Sequence, residues 1–224
     1  RCACGQYDYA LYLRNGIHYH SQCNSMSYTT VVHNAVAECM RDSHRSAGMI
    51  TQDQETAKWL TGNKNLRVVD TLYKVYTTDS EWKGQDVTVG DASRIGLLST
   101  NGRDLKLGTA GNKLVETKQI DYRENLRKYG PLLKPVSHSV VAFEHGGGFC
   151  KSAVKWLDDL DEARKLKEVK RKGAKKKGSK PHKVEGATWT TRDWKSVQAQ
   201  QISWELSKCT AMGLDGLSSM GTRR

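Results

Sequence analysis

Residues 66–78, LRVVDTLYKVYTT, are rich in β-branched and aromatic side chains, read with a period of two, and predict a strand. The same reading applies to DVTV (86–89), RIGLL (94–98), DLKLG (104–108), KLVETKQI (113–120) and SVVAF (139–143), with Asp, Gly, Asn and Ser between the runs. Asn101-Gly102, set between RIGLLST and RDLKLGT, is the pair that a type I′ hairpin turn uses. Residues 63–149 therefore predict a small antiparallel β-module, of a size that suits an SH3-like or OB-like barrel. A helical turn or two is expected at Tyr122–Tyr129, before Gly130-Pro131 breaks it.

Working outward toward the start, the period returns to that of a helix. Ser27 or Thr29 caps a helix to about Arg41, with Val32, Ala35, Val36, Cys39 and Met40 near helical spacing, and His33 reads as a structural histidine within it. A second short helix is expected from Thr51 or Asp53 to Leu60, stopped by Gly62 and anchored by Trp59 and Leu60. The first residues, RCACGQYDYALYLRNGIHYHSQC, hold Cys2, Cys4, His20 and Cys23 as two close pairs at the ends of an alternating segment that turns at Asn15-Gly16. Thiolate and imidazole pairs so placed wrap a tetrahedral Zn²⁺, whose binding free energy would fold a segment too short for a core. His18, Cys39 or His44 are alternatives for completing the ligand set.

The phrase LYLRNGIHYHSQC and this spacing resemble half-sites of small zinc fingers, such as LIM-type fingers and the N-terminal finger of arterivirus leader proteins. The resemblance covers residues 1–23 and implies a zinc role alone. The chain has C-x-C where LIM fingers have C-x-x-C, His20 where the leader proteins have cysteine, and no Cys-Trp nucleophile motif after it.

Toward the other end, EHGGGFC (144–150) opens a helix with Cys150, Ala153, Val154, Leu157 and Leu160 on one face. Its first half is expected to dock and its second to project into water. It runs into a basic arm: Arg164, Lys165, Lys167, Lys170, Arg171, Lys172, Lys175, Lys176, Lys177, Lys180 and Lys183 stand against Glu168 alone. That is eleven cations against one acid, or +10 of the net +12 of the whole chain. Such a run lacks the apolar residues to fold alone and favours polyanion binding. Beyond it, Thr190 and Asp193 predict the cap of a helix reaching about Cys209, with Trp194, Val197, Gln201 and Trp204 on one face, and GLDGLSSMGTRR reads as a flexible tail.

The expectation is thus an α+β chain: a zinc-stabilised hairpin and helices (1–62), the β-module (63–149), a helix with the basic arm (150–183), and a C-terminal helix with its tail (184–224). No run of eighteen apolar residues exists, so no membrane span is expected, and no signal peptide is read at the start. Three of the six cysteines cluster in a metal pattern and three are scattered, which fits a reducing, intracellular setting, cytoplasmic or nuclear. The function expected is nucleic-acid binding, RNA before DNA, within a ribonucleoprotein, replication or virion assembly, with the C-terminal helix docking other proteins. Trp156, Trp189, Trp194 and Trp204 offer stacking at about 1–3 kcal/mol per base, although their helical spacing assigns them to a core.

Two other classes compete with that reading. A cysteine hydrolase would use Cys150, whose thiol pKa a helix N-terminus and Lys151 would lower, with His145 or His138 as its base. A structural scaffold would set the basic arm on an acidic protein surface. GGGFCKS falls short of a phosphate loop, and Asp158, Asp159, Asp161 and Glu162 read as balancing charges with no two-metal nuclease signature.

Overall fold

A computed structural model describes residues 28–53, 69–75, 81–90, 109–129, 136–144, 147–174 and 193–221. Its elements are α1 (Tyr28–Ser46), β1 (Met49–Asp53), β2 (Thr71–Val75), β3 (Lys83–Gly90), α2 (Thr109–Tyr129), β4 (Ser137–Glu144), α3 (Lys151–Ala174) and α4 (Trp194–Gly221). Helix α1 forms where Val32, Val36 and Met40 recur every fourth residue, and all three are fully buried. It ends in a turn where the Ala47 and Gly48 amides donate to the carbonyls of Ser43 and Arg45. Gly48 takes a φ of +83°, a conformation open to glycine, and reverses the chain into β1.

The four strands form one sheet in the order β1-β2-β3-β4. β1 pairs antiparallel with β2 and β2 with β3, whereas β3 and β4 run parallel from Lys83↔Ser137 to Gly90↔Glu144. The sheet is therefore mixed, which corrects the antiparallel expectation. Parallel neighbours need a crossover, and α2 supplies it. KLVETKQI, read as a strand, lies inside that helix. Leu114, Lys118 and Tyr122 are spaced at four residues, so one helical face meets the sheet, and a Cβ added at Gly90 would strike Leu114. Thr51 to Asp53, expected to open a second helix, instead extend the Met49-Ile50 run as an edge strand. The Asn101-Gly102 hairpin and the Trp59-Leu60 helix lie outside the described residues.

Strand alternation gives the sheet two unlike faces. On one, Val87, Val141 and Phe143 pack with Val32, Val36 and Met40 of α1, with Ala153, Trp156, Leu157 and Leu160 of α3, and with Trp194, Ile202 and Leu206 of α4. On the other, Val69 and Leu72 form a smaller cluster with Trp82, Tyr122 and Val136, beneath α2. In α3 the buried positions end at Leu160, and Leu166 and Val169 are 62% and 67% exposed, so its second half projects. Helix α4 is capped by Asp193 itself, whose Oδ1 accepts the Ser196 amide at 2.9 Å. It runs on to Gly221, through residues expected to form a flexible tail. Among the described residues, no helix is long and apolar enough to cross a membrane.

Candidate functional site

The polar centre of the molecule lies at the junction of β2, β3 and β4. Thr71, the first residue of β2, pairs with Gln85, and Asp70 just before it lies beside Asp86 of β3. The Asp70 amide donates to Asp86 Oδ1 at 3.0 Å. Carboxylates opposed in this way repel each other unless cations or donors intervene. They are also largely withdrawn from water, their side chains being only 11% and 17% exposed.

The surrounding elements supply what the pair lacks. From α1, His33 Nε2 donates to Asp70 Oδ2 at 2.9 Å, and the Val87 amide donates to the same oxygen at 2.8 Å. From β4, His138 Nε2 donates to Asp86 Oδ2 at 3.1 Å, and its ring stacks on Tyr122 of α2 with centroids 3.7 Å apart. Arg41 Nη1 reaches the Asp70 carbonyl at 3.4 Å. Lys118 lies close enough for its charge to act on both His33 and Asp70. The bond to Asp70 raises the His33 pKa against the opposing pull of burial, and the Asp70 charge and Asn34 add to it. Burial alone would push the Asp70 carboxyl up, but the bond and charge of His33, the Val87 amide and Lys118 hold it below its ordinary value.

Mg²⁺ is typically bound by one or two carboxylates, with waters and substrate phosphate oxygens completing its shell. Among the described residues, no three His, Cys, Asp or Glu side chains are grouped as a complete metal cage. The strand composition already held a signal for this site. Asp is depleted in strands, yet Asp70 ends Val68-Val69-Asp70 and Asp86 opens Asp86-Val87-Thr88-Val89. The cross-strand register that joins them does not follow from either run.

The residues singled out from the sequence are placed differently. Cys2, Cys4, His18, His20 and Cys23 lie outside the described residues, as do His145, Trp189 and Lys175 to Lys183. Of the alternative zinc ligands, His44 is removed by its own bonds. Its Nδ1 faces the Met40 carbonyl at 2.8 Å, so it must donate, and its Nε2 accepts from Trp156 Nε1 at 3.3 Å. Burial lowers its pKa to about 4, and no lone pair is left for a metal. The Cys39 thiol is pushed up to about 12 by burial, then by Glu205 and Asp42, which opposes the thiolate that zinc needs.

Cys150 does stand at the start of α3, but it is only 2% exposed, and burial followed by the charge of Glu144 pushes its thiol up to about 11. The expected lowering is reversed, because desolvation outweighs the helix terminus. His138 is engaged with Asp86. Trp156 and Trp194 are core residues, whereas Trp204 is 69% exposed and leaves the face that Trp194, Gln198, Ile202 and Leu206 form at four-residue spacing. Arg164, the first residue of the basic run, is held by Glu168 at 3.0 Å and lies over the Trp194 ring at 5.5 Å. Its Nε, 3.7 Å from Asp161, pairs by charge and makes no hydrogen bond. Lys165 pairs with Asp161 at 2.6 Å. The alkyl chain of Lys167 lies against Gly48, and the backbone through Lys170, Arg171 and Lys172 is helical. Compared with known proteins, the chain matches no family model and no curated protein.

Proposed function

We propose that this chain binds nucleic acid and cleaves its phosphodiester backbone with a divalent cation held by Asp70 and Asp86. The observation that carries this reading is the carboxylate pair Asp70 and Asp86, brought together beside the two interior strands of the sheet and ringed by cations in a strongly basic protein. A bound cation polarises a phosphoryl oxygen and lowers the pKa of a coordinated water. Asp70 and Asp86 would supply the protein oxygens that hold it. Lys118 neutralises charge that develops on the phosphoryl group. His33 and His138 orient the two carboxylates through their Nε2 protons. The basic run from Arg164 to Lys183 contributes affinity that is independent of sequence and falls with salt.

The same proposal keeps zinc at the start of the chain, on Cys2, Cys4, His20 and Cys23, as the structural staple of a small hairpin. The setting is a larger ribonucleoprotein, replication or virion assembly, in which the C-terminal helix meets other proteins. The test is to incubate the full chain with labelled duplex DNA, duplex RNA and single strands, with Mg²⁺ or Mn²⁺. Cleavage is expected, and Asp86→Asn and Lys118→Ala should reduce it by roughly 10²-fold or more while binding persists. Binding without cleavage under any divalent cation would leave a binding protein and remove the catalytic part.

A further inference from the structure

Helix α3 has a second half whose chemistry the core does not explain. The helix runs unbroken from Lys151 to Ala174, 24 residues or about 36 Å, yet its last fully buried side chain is Leu160. Lys167 lies across the α1–β1 turn at Gly48, which marks where the helix leaves the body. Past Arg164 the helical backbone carries Lys165, Lys167, Lys170, Arg171 and Lys172 against Glu168. The root of the basic run is therefore a preformed helix. Between these cations stand Leu166 and Val169, both more than half exposed and three residues apart.

We propose that this projecting half of α3 seats in the major groove of duplex DNA, an inference that rests on the nucleic-acid reading above. The dimensions match, since a helix with its side chains is about 10–12 Å across and the B-form major groove is about 12 Å wide. The major groove of A-form RNA is deep and too narrow for side chains to read, so the same helix is excluded from it. The net positive charge of this stretch of helix is complementary to the phosphates that line the groove. Leu166 and Val169 meet apolar groups on the groove floor, where the thymine methyl is the available contact. A purely electrostatic tether would have no use for two exposed aliphatic side chains at helical spacing. This reverses the RNA-first expectation drawn from composition in favour of duplex DNA.

The test measures affinity of the full chain, without divalent cation, for a duplex DNA, the same-sequence duplex RNA and single-stranded RNA at one salt concentration. Duplex DNA is expected to bind at least about tenfold more tightly than duplex RNA. Val169→Pro keeps every cation but breaks the helix beyond the core, and should lower DNA affinity about tenfold. Val169→Ala should leave it within about twofold. If Val169→Pro disturbs folding, the helix-preserving pair Leu166→Ser and Val169→Ser carries the test, with a several-fold loss expected on DNA and none on RNA. Equal affinity for the two duplexes, or wild-type DNA affinity in the Pro variant, overturns the groove assignment and leaves nucleic-acid binding standing. Failure of the wild-type chain to bind any of the three overturns both.

Discussion

Two buried groups of this protein show how burial dominates side-chain chemistry. His44 is fully buried, with Met40 accepting from one ring nitrogen and Trp156 donating to the other. Its folded pKa of about 4 lies below the ordinary 6.5. The unfolded chain therefore binds more protons between these values, and stability rises with pH across that window. Full above about pH 6.5, the contribution is lost as pH falls toward 4 and is on the order of 3 kcal/mol. Urea unfolding at pH 7.5 and 4.5 checks this: His44→Phe should unfold more easily at pH 7.5, by about 1–3 kcal/mol for the orphaned Trp156 N–H, and lose less on acidification than wild type. At Cys150 the same desolvation acts on a thiol. Iodoacetamide should leave Cys150 unlabelled in the native chain at pH 7.5 and label it after denaturation, as mass spectrometry of the peptides would show. Rapid native labelling would revive the hydrolase reading.

At the scale of the element, α3 is two helices in one. Leu160→Ala removes a side chain 1% exposed in a packed core, and denaturant unfolding should show a loss of about 2–5 kcal/mol. Leu166→Ala, six residues on, should stay within about 0.5 kcal/mol, because its side chain is 62% exposed. A large loss at both would mean that the second half docks too. The start of α4 depends on one carboxylate, since Asp193 accepts both the amide and the hydroxyl of Ser196 at 2.9 Å. Asp193→Ala should cost about 0.5–2 kcal/mol by the same measurement, and Thr190→Ala none of that cap energy.

For the whole molecule, charge distribution and metal content give separable outcomes. Nucleic-acid affinity should fall steeply and linearly on a log–log plot against salt, and deleting residues 175–183 should flatten the slope by removing Lys175, Lys176, Lys177, Lys180 and Lys183. Zinc analysis of the purified chain should find a stoichiometric ion that Cys2→Ser or Cys23→Ser removes. Loss of zinc without loss of duplex binding would make the N-terminal site structural to its own segment only. Retention of zinc in both variants would sink the site.

The α+β class, the helices at α1, α3 and α4, the projecting basic half of α3, and the placing of Trp156 and Trp194 in the core were all legible in the chain. Each depends on local periodicity or local charge, and those are written in adjacent residues. The remaining features follow from contacts between distant parts of the chain. The β3–β4 pairing is parallel because α2 crosses between them, and helix and strand compete evenly over a short mixed run such as KLVETKQI. Trp204 leaves the buried face because a four-residue spacing of Trp194, Gln198, Ile202 and Leu206 turns it to solvent. Burial raises the thiol pKa of Cys150 and lowers the imidazole pKa of His44, because desolvation is a property of surroundings. Asp70 and Asp86 met because the long-range pairing of β2 with β3 brings residues sixteen apart within hydrogen-bond distance. Their burial among His33, His138 and Lys118 is assembled from four elements, and no window of sequence contains it.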